Sequence, residues 1–274
     1  MRIVVLSPSA YSETACAMVV RMAELGHVPV GALALSALDR GTLLRKFRQW
    51  GWQDFTHYAR TKLSPLQKDG QAAVRNPYLR PMLSRGNGIF RSLHEVAAFY
   101  RFAVAICRDQ NAPESIARLK EWSPDVILFA GGNILRKPLL DVPRLGVLNA
   151  HLGLLPEVRG MSSPEWSLLN NVPVGITIHF IDEGIDTGPI LRKYEFPEAA
   201  SCESLDDLRN RLIAFGIEKI AEVIPALDRG TISETAQPDL DCDPQFFVMH
   251  EWLKQRAAVR LVNNRRSVVA TAHG

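Results

Sequence analysis

An open, mostly parallel, twisted α/β sheet with helices on both faces is the fold this sequence predicts, and three observations predict it. Residues 2–6 are a short β-branched run ending at Ser7-Pro-Ser9, the pattern of a buried strand followed by a turn. Residues 10–25 then place Ala15, Met18, Val19, Met22 and Leu25 at helical spacing, with Gly26 as a stop and a second strand expected near 28–35. The same rhythm returns later, with a helix at about 113–122 and the buried run Asp125-Val-Ile-Leu-Phe-Ala130 backed by Gly131-Gly132. Strands separated by helices pair in parallel, because the crossover returns the chain to the edge it started from.

The remaining elements follow in order. Val147 to His151 is the next strand. Gly175 to Phe180 alternates, with Ile176, Ile178 and Phe180 on one face and Thr177 and His179 on the other. Gly188 to Phe196 is expected to pair beside it. Ser204-Leu-Asp-Asp207 has a capping serine with an acid three residues on, so a helix starts there and runs through Leu208, Leu212, Ile220 and Val223 to about Gly230. Residues 231–274 read as a tail with a short helix near Phe247 to Val262 and a mobile last dozen residues.

Residues 37–101 break the rhythm. Trp50, Trp52, Phe55 and Tyr58 crowd one stretch, and Asn76-Pro77, Arg80-Pro81 and Arg85-Gly-Asn-Gly88 mark turns, so this segment reads as a mainly helical insert. Between Arg40 and Arg101 stand twelve Lys or Arg against three acids, whereas the whole chain carries only +3. A basic anion-binding surface and a solvated helical face both fit that pattern. The aromatics fit either a subunit interface, as in a homodimer, a lid over a substrate, or a local core. The division expected is a catalytic domain over 1–196 containing the insert, and a C-terminal helical extension over 197–274.

Composition narrows the function classes. A hydrophobic content of 47% with 22% charged residues suits a globular enzyme of 274 residues, long enough to bury a core without disulfides. Cys16, Cys107, Cys202 and Cys242 are far apart and form no metal-ligand spacing, so no metal site is expected and a reducing, cytoplasmic setting fits. The apolar run at the start is too short for a signal peptide, and no stretch reaches the roughly 18 apolar residues of a membrane span.

The chemistry centres on Asn149-Ala-His151 and Asp186. Asn149 and His151 are two apart on a strand, so their side chains point the same way, at the carboxyl edge where open α/β sheets bind ligands. An amide N–H can stabilise an oxyanion without titrating, and an imidazole can do the same or carry a proton. Asp186 lies in Gly184-Ile-Asp-Thr-Gly188, a loop able to bring a carboxylate to the imidazole and orient it. Asn149 or His151 alone could simply satisfy local hydrogen bonds; His179 could be a core histidine or a site wall, and Asp182 looks like a turn residue.

The ordered combination resembles the folate-dependent formyltransferase family. It comprises Ala130-Gly-Gly-Asn-Ile-Leu135, Asn149-x-His151, Leu154-Leu-Pro-x-x-Arg-Gly160, the segment around Trp166, and the strand entering Asp182-x-Gly-x-Asp-x-Gly188. The resemblance covers about residues 120–195, more weakly 1–35 and 200–230. It implies a formyltransferase-like fold, with Asn149, His151 and Asp186 as the catalytic set. It also implies 10-formyltetrahydrofolate as formyl donor, its pterin against backbone around Asn133, Ile134 and Leu135 and the loop holding Asp182, Gly184 and Ile185. Ser9, Arg159 and His179 are the residues expected to face the acceptor.

The acceptor expected is a primary amine on a small metabolite, in particular a nucleotide-linked amino sugar, with no membrane partner. Ser7 to Ser12 lacks the glycine-rich phosphate loop of glycinamide ribonucleotide enzymes. No long C-terminal segment reads as an added nucleic-acid-binding barrel, which disfavours nucleic acid as substrate. Hydrolysis of the same folate, and silent folate or nucleic-acid binding, are the alternatives.

Overall fold

The structure, a computed structural model, describes residues 1–36, 74–86, 88–238 and 245–271. Its centre is a seven-stranded sheet made of β1 (Ile3–Ser7), β2 (Gly31–Leu35), β3 (Ala103–Cys107), β4 (Val126–Phe129), β5 (Gly146–His151), β6 (Gly175–Phe180) and β7 (Ile190–Glu195). In space the order is β7-β6-β5-β4-β1-β2-β3. The pairs from β3 to β5 are parallel, while the pairs β5–β6 and β6–β7 are antiparallel, so β6 alone runs against the rest of this sheet. Strand order reverses at β1, with β2 on one side and β4 on the other, so the loops leaving β1 and β4 diverge and open a crevice at the carboxyl edge.

Both faces are covered. Along β1, Ile3 and Val5 join the core beneath α1 (Glu13–Glu24), α2 (Leu93–Tyr100) and the long α5 (Leu205–Asp228), whereas Val4 and Leu6 join the core beneath α3 (Pro113–Trp122). This period of two is what a strand buried on both faces imposes. α1 starts at Ser12, whose Oγ accepts from the Ala15 N–H at 3.2 Å. α5 starts at Ser204, whose Oγ accepts from the Asp207 N–H at 3.0 Å while the Asp207 carboxylate accepts from the Glu203 N–H at 2.9 Å. The serine satisfies one free donor of the first turn, and the carboxylate ties the chain just before the cap.

Three features differ from the sequence expectation. β3 was not legible, because as an edge strand it leaves Ile106 exposed and keeps little apolar alternation. Of the segment expected as an insert, residues 37–73 and 87, with Trp50, Trp52, Phe55 and Tyr58, lie outside the described residues. Its remainder belongs to the core: Leu79, Leu83, Leu93 and Val96 are fully buried with α1, and α2 is the crossover helix into β3. At the other end, α6 (Glu251–Thr271) runs past the expected stop at Val262 into the residues expected to be mobile, seating Ala257 and Leu261 in the core shared with α4 (Ser163–Asn170). Among the described residues no helix is long and apolar enough to cross a membrane.

Candidate active site

Asn149 and His151 occupy the end of β5, on the same face as Val147, while Leu148 and Ala150 turn toward α1 and α5. β6 lies beside them with His179 opposite Asn149 and Thr177 opposite His151. The loop between β6 and β7 returns Asp186 to the same spot. Its Oδ2 stands 3.3 Å from His151 Nδ1 and accepts from the Gly160 N–H at 2.9 Å. The three residues predicted as a catalytic set are thus gathered at one place.

The hydrogen-bond pattern fixes where the protons sit. His179 Nδ1 is 2.8 Å from the Phe180 carbonyl, which can only accept, so Nδ1 carries the hydrogen. Burial, followed by the neighbouring His151 charge, pushes His179 down to about 4, so the ring is neutral and Nε2 is an acceptor. Asn149 Nδ2 donates to that Nε2 at 3.1 Å, which fixes the amide's orientation and leaves its second N–H for another partner. Asp186 Oδ1 lies 3.6 Å from the same Nε2, but with that nitrogen accepting from Asn149 this is proximity and not an ion pair. His151 Nε2 donates to the Val158 carbonyl at 2.8 Å. With a hydrogen on each nitrogen, His151 would donate to Val158 and to Asp186 together.

Placement corrects the expectation for His179 and adds detail at Asp182. His179 is 1% exposed and spends both nitrogens on Phe180 and Asn149, so it braces Asn149 and does not wall an acceptor site. The Asp182 side chain accepts from the Gly184 N–H at 3.1 Å and the Thr187 hydroxyl at 2.6 Å, which makes it the turn residue of the Asp186 loop and commits one oxygen locally. Gly188 is required there because a Cβ would stand 2.0 Å from the Phe180 carbonyl. Ser9 sits at the β1 turn on the carboxyl edge, its Oγ accepting from the Tyr11 N–H at 3.3 Å. Arg159 opens a two-residue strand, 159–160, that pairs with 245–246.

Because an unfolded imidazole titrates near 6.5, a ring held at about 4 binds its proton less well when folded. The stability contributed by neutral His179 is therefore complete above about 6.5 and is lost as pH falls toward 4. Denaturant midpoints measured from pH 7.5 to 4.5 are expected to fall more steeply for the wild type than for His179→Gln. Equal slopes would refute a buried neutral His179.

The wall beside this cluster is the loop 130–135. Ile134 is largely exposed and Leu135 is buried with Leu139, Val147 and Ile181, the residue that opens the Asp186 loop. Gln110, not singled out by sequence, is fully buried and ties the loops together. Its side chain donates to the Ser7 and Gly131 carbonyls at 3.3 and 3.5 Å and accepts from the Asn133 N–H at 3.0 Å. The Asn133 N–H is therefore committed to Gln110. Gln110 carries no periodicity signal, so only its burial reveals it. Among the described residues, no group of three or more His, Cys, Asp or Glu is arranged to hold a metal ion.

A methionyl-tRNA formyltransferase of Geobacter metallireducens is 38% identical over 193 residues, 69% of this chain and 61% of that protein. Another, of Citrifermentans bemidjiense, is 37% identical over 129 residues, covering 46% of this chain and 40% of that protein. The chain matches between about two fifths and three fifths of these relatives' length. In fold it is similar to glycinamide ribonucleotide transformylase 1 of Symbiobacterium toebii, with TM-score 0.56, 17% identity, and coverage of 87% of this chain and 95% of that one. It is also similar to the N-formyltransferase of Helicobacter canadensis, solved with folinic acid and dTDP-3-aminofucose, with TM-score 0.53, 17% identity and coverage of 90% and 71%. The family described as Formyl transferase matches residues 86–224, about half of the 274 residues and the stretch holding Asn149, His151 and Asp186, and the chain belongs to that family.

Proposed function

We propose that this protein transfers the formyl group of 10-formyltetrahydrofolate to a primary amine, and that the amine is carried by a nucleotide-linked amino sugar. The observation that carries the transfer is the Asn149 amide, held by neutral His179 with one N–H left over, beside the Asp186–His151 pair at the carboxyl edge of β5. Formyl transfer to nitrogen builds negative charge on the formyl oxygen, and donors positioned in advance lower that barrier most. Asn149 is such a donor.

His151 supplies the second interaction. Its Nε2–H, now aimed at the Val158 carbonyl, reaches the reacting atoms by exchanging that carbonyl for them, while Asp186 holds the ring at Nδ1. From there it can stabilise the oxyanion or carry the proton released by the amine. Asn149, half-buried and needing no exchange, is the donor already in place.

The folate would supply the formyl group when bound. The residues present fit it: Gly131 and Gly132 turn the chain at φ 115 and 152, presenting the backbone of Ile134 and Leu135 beside the 182–186 loop. A flat pterin is recognised through such edge donors and acceptors against an apolar wall. Isothermal titration with a formyl-inert folate analogue tests this. Binding is expected, and Asn133→Ala, which removes the Oδ1 that accepts from the Gln110 N–H at 3.2 Å and so loosens the loop, should weaken it about tenfold. Absence of binding by the wild type would refute the donor assignment.

The acceptor has two supported readings. The amino-sugar reading accords with the sugar N-formyltransferases of the same fold. Methionyl-tRNA is favoured by the identity to methionyl-tRNA formyltransferases. Formyl transfer assayed against nucleotide-linked amino sugars and against methionyl-tRNA separates them. Product only on the sugar amine is expected, and product only on methionyl-tRNA would overturn that choice.

A further inference from the structure

Asp186 is held in a backbone conformation that needs support. Its φ is 54, the left-handed region that costs a non-glycine residue about 1 kcal/mol or more. Such a conformation persists only where the surroundings over-determine it. The support comes from chain beyond the last strand of the sheet. Thr235 forms an antiparallel bridge with Ile190, each donating its N–H to the other's carbonyl at 2.8 Å. Two residues on, the Gln237 side chain reaches the loop itself, and Nε2 donates to the Asp186 carbonyl at 2.9 Å and to the Gly188 carbonyl at 2.7 Å.

The carboxylate end of Asp186 is held from the same region. Gly160, which donates to Oδ2, pairs with Phe246, and the Met161 N–H donates to the Phe246 carbonyl at 2.9 Å. At Gly160 φ is 93 and a Cβ would stand 2.2 Å from that carbonyl, so only glycine admits the strand. Trp166 stacks on Phe246 at 4.8 Å and donates to the Phe247 carbonyl at 3.0 Å, pinning the strand to α4.

We propose that Gln237 is a positioning residue for the reaction, acting through Asp186. Its two amide hydrogens clamp the carbonyls on either side of Thr187, which sets the direction in which the Asp186 carboxylate leaves the backbone and so its approach to His151. Gln237 Oε1 is buried without a hydrogen-bond partner among the described residues. Burying that acceptor is unfavourable, so the donor end is the part that stabilises the arrangement. The inference rests on the reading of Asp186 as the group that orients His151.

Two variants remove the donors at nearly constant length, Gln237→Met and Gln237→Glu. Hydrogen–deuterium exchange is the first readout, because it is independent of any activity. Exchange in residues 182–189 and at Gly160 is expected to quicken about tenfold in both variants, with β4 unchanged. Unchanged exchange in that loop, or an equal rise throughout the sheet, would overturn the proposal. Kinetics is the second readout. Turnover is expected to fall about tenfold with both KM values within about twofold, and Gln237→Met is expected to cost little more once Asp186→Asn is present. An equal loss in both backgrounds would show that Gln237 does not act through Asp186. If the wild type transferred no formyl group, the functional proposal would fail, while the exchange result would still decide the clamp.

Discussion

Asn149→Ala is expected to lower kcat/KM for formyl transfer by roughly a hundredfold to a thousandfold, the usual cost of removing one preorganised oxyanion donor. Folate affinity should change far less, because the lost N–H meets charge that exists only in the transition state. Stability should fall by about 1–3 kcal/mol, because the buried His179 Nε2 loses the donor that Asn149 supplies. Asn149→Asp is the sharper control. It keeps the shape but turns both oxygens, as acceptors, toward the His179 acceptor and the developing oxyanion, so activity should not recover. Steady-state kinetics with saturating donor would check this. A loss of only a fewfold in Asn149→Ala would remove Asn149 from the catalytic set.

Asp186→Asn is expected to cost on the order of 10³ to 10⁴ in turnover, the scale seen when a carboxylate orienting a catalytic histidine is neutralised. The substitution leaves the left-handed backbone tolerable, since asparagine also adopts it, and its oxygen can still accept from Gly160. Two things change. His151 Nδ1 loses the charge that faces it at 3.3 Å, and the new amide can donate to His179 Nε2, now 3.6 Å from Oδ1. That nitrogen is what orients Asn149, so both arms of the site are disturbed by one substitution. Single-turnover transfer, which isolates chemistry from product release, is the measurement to make. A loss below about tenfold would mean that His151 keeps its geometry without the carboxylate.

How much of this was legible in sequence depends on whether a residue acts through its own strand or through another part of the chain. The alternation of Ile176, Ile178 and Phe180 against Thr177 and His179 is written in a period of two, and the structure seats the first three in the α1–α5 core. The two-residue spacing of Asn149 and His151 likewise fixed their common face. β3 was hidden because an edge strand meets water on one side and needs no apolar alternation. His179 was readable as polar but not as a brace, since its role depends on the register that sets it opposite Asn149. Gln110 and Gln237 had no signal at all, being single polar residues whose partners are far away in sequence.

By itself, then, the sequence determined the α/β rhythm, the family, and the three residues placed at the site. Local periodicity and short motifs carry that information, because neighbours in sequence must share a face of a strand or a turn of a helix. Tertiary structure alone decided which nitrogen of His179 carries its proton, which way the Asn149 amide points, and what holds Asp186. Those are questions of pairing between groups 30 to 51 residues apart, or of a carbonyl in the next residue whose direction only the folded backbone sets. A buried polar group must find a partner wherever the fold brings one, and no spacing rule encodes that meeting.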